Sequence, residues 1–179
     1  MNSQGLSMLS LCPDWCWQYC DEQDRLLLQL SNSHHIQTAF SAKELNVKPQ
    51  QQSLCMEQAQ LLMDFAEALE GLLPDSELLT VAARAVAALS FVKAPVQKSH
   101  LFNFSSIESR TDLMSIAKLE GLSRAKVLLV AKADPMVDCL LLEPMELLNG
   151  KELSAGQLVR VQQNRLMPVQ FAPLYALTA

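Results

Sequence analysis

The chain is short of glycine, of positive charge in its first half, and of long apolar runs. Five glycines occur among 179 residues. No two of them stand in a phosphate-cradling pattern, so a nucleotide-handling enzyme is not expected. The G-x-S-x-G elbow of many hydrolases is absent as well. Apolar runs such as residues 127–130 and 139–142 fall far below the roughly 20 residues a membrane-spanning helix needs. No basic stretch precedes an apolar one near Met1, so the sequence reads as that of a cytoplasmic protein without a secretion signal.

Positive charge is scarce and unevenly placed. Residues 1–92 hold four cations (Arg25, Lys43, Lys48, Arg84) against eleven carboxylates, a balance of −7; residues 93–179 hold ten against eight, a balance of +2. The sum is −5. An acidic whole argues against a dedicated nucleic-acid binder, whose affinity comes from clustered cations. A local basic patch meeting an acidic protein segment stays open.

Cysteine gives no framework. Cys12, Cys16, Cys20, Cys55 and Cys139 are odd in number and scattered, which fits reduced thiols acting as small buried hydrophobes. Cys16 and Cys20 on a strand would lie about 13 Å apart at about 3.3 Å per residue, too far for one tetrahedral zinc with His34 or His35. No metal or cofactor is expected. His100 and Cys139 form a nucleophile pair only if the fold joins them, and Asp134 and Asp138 read as solvated turn residues. No motif supplies nucleophile, base and orienter together, so the chain is not read as an enzyme; a thiol-dependent enzyme is the last of three readings.

What is present is apolar patterning, with half the residues hydrophobic. In "DWCWQYCDEQDRLLLQLSN", Trp15, Trp17 and Tyr19 alternate, then Leu26, Leu28 and Leu30 alternate, with "CDEQD" as the turn between them. That is a hairpin with one buried face. A third strand is expected at 35–40. Leu62, Phe65, Leu69 and Leu72 mark an amphipathic helix over 54–73, closed by Pro74. Asp75 is expected to cap a second helix over 76–92, alanine-rich and central, with Leu79, Ala82, Val86 and Leu89 as its stripe. Beyond Pro95, short strands are expected at 126–131, 136–142, 145–148 and 158–162. Asn149-Gly150 gives the strongest hairpin signal, as a type I′ turn. The fold class is therefore α+β: an α/β N-terminal domain over 1–97, a meander plus two helices, and a small β-barrel-like C-terminal domain over 98–179.

Three stretches, "DWCWQYCDEQDRLLLQL", "FVKAPVQKSH" and "LLNGKELSAGQLVRVQQNRLMP", resemble the ZapC family of bacterial cell-division proteins. They carry the paired Trp, the Asp-Arg before a leucine strand, a Lys-x4-Lys pair and an Asn-Arg-Leu-x-Pro ending. The similarity runs from about Asp14 to Val169. It implies a cytoplasmic, non-enzymatic adaptor at the mid-cell division ring that binds FtsZ and promotes bundling of its filaments. It implies two domains, each with a pocket, and partner contacts at Leu28, Lys93, Lys98 and Arg165. His100 stands where the family often has Trp, and 103–121 carries no matching motif. Lys93 equally suits a helix C-terminus, where a cation opposes the macrodipole, and Arg165 can be an ordinary solvated loop residue. The alternative function is a small-ligand or peptide-binding regulator using the C-terminal barrel pocket. No heptad pattern is present, so a monomer is expected. The terminal "YALTA" resembles the "YALAA" ending of the bacterial tag read by the ClpXP protease, which makes that protease a candidate partner; the same segment can instead pack as a short apolar end.

Overall fold

In a computed structural model, residues 14–30, 34–109 and 111–169 are described. Strands β1 (Cys16–Cys20), β2 (Arg25–Gln29), β3 (His35–Gln37) and β4 (Gln52–Ser53) form an antiparallel sheet in the order β3-β2-β1-β4. Register sets Trp17 opposite Leu28 and Tyr19 opposite Leu26. Because side chains alternate along a strand, the aromatic row and the leucine row share one face. Trp15, Trp17, Tyr19, Leu26 and Leu28 are all buried there.

Helices α1 (Met56–Leu69) and α2 (Asp75–Phe91) cover that face. Gln58 joins sheet to helix: its Oε1 accepts from Trp17 Nε1 at 3.1 Å and from the Cys55 backbone N–H at 3.3 Å, closing the helix start. Leu62, Phe65 and Leu69 are buried as the spacing predicts, while Leu72 lies past the helix end and is exposed. The cap of α2 is Pro74 rather than Asp75, which sits in the first turn with Glu77 and there opposes the macrodipole. Val81, Ala82, Ala83, Ala85, Val86, Ala87, Ala88 and Phe91 are buried. The helix is central, as expected, and its alanines let neighbours close in from several sides. Leu89 falls outside that burial and is exposed.

The second sheet has five strands: β5 (Ile116–Glu120), β6 (Arg124–Ala133), β7 (Met136–Leu141), β10 (Leu158–Gln162) and β11 (Met167–Pro168), in the order β10-β7-β6-β5-β11. A separate hairpin pairs β8 (Met145–Glu146) with β9 (Glu152–Leu153). Every pairing between these strands is antiparallel. The expectation of a barrel needs correction: β10 and β11 are the two edges, and among the described residues nothing joins them into a closed barrel. The Asn149-Gly150 turn is also not type I′. Only Gly150 of the two has positive φ, at +81°, and its N–H donates to Leu147 O at 2.9 Å. That is the type I turn followed by a left-handed residue found in three-residue hairpin loops.

Residues of β6 feed two cores. Leu128 and Val130 join Leu140 in the core of the first sheet and helices. Val127 and Leu129 join Val137, Cys139, Leu141, Val159 and Val161 in a second core on the opposite face. No helix among the described residues is long and apolar enough to cross a membrane.

Candidate functional site

The segment after α2 carries two of the four expected contact residues and is fastened at both of its ends. The Lys93 N–H donates to Glu44 O at 2.7 Å and its Nζ to Lys43 O at 3.2 Å. Lys93 is exposed and stands beside the exposed Lys43, so two cations gather just past the C-terminus of α2. Further on, the Lys98 N–H donates to Arg160 O at 2.9 Å, extending the edge of β10. A 3-10 turn follows over Ser99–Leu101. Ser99 Oγ accepts from Gln97 Nε2 at 2.7 Å and from the Gln162 N–H at 2.8 Å.

Arg165 closes this arrangement from the far side. It lies in a second 3-10 turn, Gln163–Arg165, and is only 7 % exposed. Its Nε donates to Ser99 O at 2.8 Å, and the guanidinium carbon sits 3.3 Å from the ring centroid of Phe104. The reading of Arg165 as a solvated loop residue is therefore corrected. It is a buried clamp on the residue that follows Lys98. Arg165 is brought to the residue next to Lys98; Lys93 is held at the other end of the same segment.

Leu28 is elsewhere. It is fully buried between Trp17 and Ile36 on the neighbouring strands, and Trp17 packs edge-on against Phe91 with ring centroids 5.4 Å apart. A side chain with no exposed surface lines no open pocket. The opposite face of the hairpin does form a groove of about 480 Å³, lined in part by Gln18, Cys20, Leu27, Gln29 and His35. Leu27, not Leu28, looks into it, as the two-residue period requires.

Two further sequence readings change. Asp138 is not a solvated turn residue: it is 8 % exposed and accepts from Arg160 twice, Nε to Oδ1 at 2.6 Å and Nη2 to Oδ2 at 2.9 Å. The two residues are directly opposite on β7 and β10, and the carboxylate pushes the arginine's pKa up. The thiols are also not uniformly buried. Cys139 is buried, and burial pushes its thiol well above the ordinary range; Cys16 and Cys20 are half-buried and Cys55 is exposed. Cys12 and the terminal "YALTA" lie outside the described residues. No group of three or more metal-ligating side chains is arranged around one point among the described residues.

The hairpin turn has its own polar knot. Tyr19 Oη donates to Asp24 Oδ1, which also accepts from the Ala42 N–H at 3.0 Å. The Ala42 bond first, and the Tyr19 bond second, hold the Asp24 carboxyl below its usual range; the carboxylate in turn pushes the phenol up. Lys48 lies over the Tyr19 ring at 4.5 Å and pairs with Asp21 at 3.3 Å. On α2, Arg84 is half-buried and donates to Gln37 O at 3.2 Å, and desolvation lowers its pKa. None of these places nucleophile, base and electrophile together.

Sequence reasoning missed Phe104. It lies in a stretch without family motifs, and its stacking partner is distant in sequence.

The arrangement is a set of clamps and surfaces, and the chain is similar in sequence to known proteins. A profile of the N-terminal part of the cell-division protein ZapC matches residues 8–93. The cell division protein ZapC of Musicola paradisiaca (strain Ech703) is 28 % identical over 171 residues, covering 90 % of this chain and 91 % of that protein. The ZapC of Proteus mirabilis (strain HI4320) is 26 % identical over 157 residues, covering 85 % and 86 %. That of Shewanella oneidensis is 27 % identical over 162 residues, covering 88 % and 92 %. With likeness of this kind along nearly the whole chain, and the paired Trp, the Lys-x4-Lys segment and the Arg165 ending all in place, the chain belongs to the ZapC family of cell-division proteins.

Proposed function

We propose that this protein is a non-catalytic adaptor that binds FtsZ and cross-links its filaments at the division site in the cytoplasm. The observation that carries the reading is the junction itself. Arg165, far away in sequence, bonds to the carbonyl of Ser99, the residue after Lys98, where the chain passes from α2 to the second sheet, and Lys93 borders the same segment. An acidic protein that must approach an acidic filament can do so only through local positive charge. Lys93 and Lys98 are the steering charges in this reading. Leu28 contributes through the hairpin it holds together, and Arg165 through the segment it clamps. We assign the helical part, 1–97, and the sheet part, 98–179, one filament contact each, since two linked weak contacts raise avidity without new chemistry. A monomer with two contacts suffices for bundling. The test is co-sedimentation with polymerised FtsZ: Lys93→Asp with Lys98→Asp is expected to abolish most pelleting while the protein stays folded at the assay temperature, since Lys93 is exposed and Lys98 half-buried and charge changes outside the core cost little stability. Pelleting equal to wild type at low salt removes the basic-patch reading. ClpXP access through the last residues belongs to the same proposal. Thr178→Asp with Ala179→Asp should lengthen lifetime in cells, and an unchanged or shorter lifetime discards it.

A further inference from the structure

Phe104 is 71 % exposed and Ile107 is 57 % exposed, yet the loop that carries them is tied down. The Asn103 N–H donates to Glu120 O at 2.7 Å and the Ser105 N–H to Asn164 O at 2.8 Å. Ser105 Oγ donates to Ile107 O at 2.7 Å, and the Ile107 N–H returns to that Oγ at 3.3 Å. One face of the Phe104 ring is occupied by the Arg165 guanidinium, which is itself anchored on Ser99 O. A large apolar residue left in water on a loose loop is ordinary surface. An aromatic held in water by this many restraints loses little further freedom on docking, which is what a preorganised binding surface requires. Phenylalanine and arginine are also enriched where interfaces are anchored.

The charge around the ring points to the partner's chemistry. Lys98 immediately precedes Ser99, and neither Lys98 nor Arg165 forms an ion pair among the described residues. Glu108 is the one carboxylate between Lys98 and Ser109. Arg160, by contrast, is spent on Asp138. An exposed aromatic stacked on a guanidinium that has no ion pair among the described residues, with half-buried Lys98 next to the Ser99 that this guanidinium grips, fits a segment of opposite sign with large apolar side chains.

We propose that Phe104 and Ile107, stiffened by Arg165 and bordered by Lys98, are the docking surface for an acidic peptide segment bearing large apolar residues. Its assignment to a filament protein rests on the FtsZ-binding reading above; the surface and its chemistry stand on the geometry. Arg165 is then a positioning residue: it acts through Phe104 and Ser99 rather than by touching the partner.

The test uses the full chain and two probes, a fluorescein-labelled synthetic peptide with Leu and Phe among Asp residues and polymerised FtsZ. Phe104→Ala with Ile107→Ser is expected to weaken peptide binding at least tenfold and to reduce filament pelleting while the protein stays folded at the assay temperature, because both side chains are mostly exposed and only the stack on Arg165 is lost. Phe104→Leu should keep most of the affinity. Arg165→Lys, which keeps the charge and loses the planar stack, should weaken peptide binding without changing its salt dependence, whereas Lys98→Gln should flatten that salt dependence. Peptide binding by the double variant equal to wild type overturns the docking surface. So does equal binding of a control peptide with Lys in place of Asp, or a change of oligomeric state in the double variant, which would make the patch a self-contact. Wild-type pelleting that the double variant retains overturns the surface and leaves the FtsZ reading standing. Peptide binding lost in the double variant, beside no pelleting by wild type, upholds the surface and overturns the FtsZ reading.

Discussion

Replacing Leu28 by Ala separates a core residue from a contact residue. Leu28 is 0 % exposed and is flanked by Trp17 on β1 and Ile36 on β3. Three methylene-sized groups leave a site walled by one rigid indole and by helix α2, where Phe91 already packs edge-on against Trp17. Little can collapse into the space, so the cost should fall within the usual range for buried leucine truncation, about 2–5 kcal/mol. With a urea slope of about 2 kcal/mol/M, the unfolding midpoint should drop by about 1–2.5 M. At about 2–4 °C per kcal/mol for a domain of this size, the melting temperature should drop by roughly 4–20 °C. Leu27→Ala is the control. It lies on the same strand but faces the groove, so its midpoint should move by less than about 0.5 M. Urea titration of both variants, followed by tryptophan fluorescence, reads Trp15 and Trp17 directly in this core. If Leu28→Ala leaves the midpoint unchanged, Leu28 is not a core residue and the hairpin's inward face has been misassigned. If it shifts the midpoint as stated and FtsZ binding falls only in proportion to the folded fraction, its role in partner binding is structural.

Two other outcomes follow from the same geometry. Under native conditions a thiol reagent such as Ellman's reagent should modify exposed Cys55 first and buried Cys139 only on unfolding, since burial keeps that thiol protonated; peptide mapping that finds Cys139 modified as fast as Cys55 contradicts the second core. Because the Asp24 carboxyl is held below its ordinary value, its contribution to stability is complete above that ordinary value, near pH 4, and fades as pH falls through the folded one; Tyr19 is shifted up, so its contribution fades as pH rises past about 10. Asp24→Asn should therefore flatten the acid limb of a plot of melting temperature against pH, and a limb as steep as wild type would refute the link.

How far the sequence could be read depended on whether the deciding partner was near or far along the chain. The hairpin was legible because its period is two and both rows face the same core, so Trp17 and Leu28 declare each other. Both helices were legible from three-and-four spacing. β5 was not: in "IAKLE" only Ala117 and Leu119 are buried, too little apolar contrast to mark a strand. β11 hides behind Pro168, which ordinarily argues against a strand and is tolerated here at a sheet edge. The expectation of a barrel came from counting short strands and turns, which does not distinguish an open sheet from a closed one. At the site, the four residues came from resemblance and not from spacing. Alternation alone would have put Leu28 inside. Nothing local could have told that Arg165 bonds to Ser99, 66 positions earlier, or that Asp138 is matched by Arg160 across β7 and β10.

The reason for that opacity lies in β6. A strand with one wet face writes its burial into alternating polarity, whereas β6 sends Val127 and Leu129 to one core and Leu128 and Val130 to the other. Its sequence is a continuous apolar run that says "buried" and leaves out which side faces what. The helices of the first half need that sheet, because Leu128, Val130 and Leu140 complete their core. The segment 93–104 therefore does not swing between two independent bodies. It is laid down between elements that share an interior, with Lys93 fixed to the Lys43 carbonyl at one end and the Lys98–Ser99 turn fixed to β10 and Arg165 at the other. Cations on a free linker would gain a partner only at the expense of ordering the linker. Here that ordering is complete before any partner arrives, and the same clamp that fixes Lys98 also stacks on Phe104, so charge and apolar surface are presented in one fixed register.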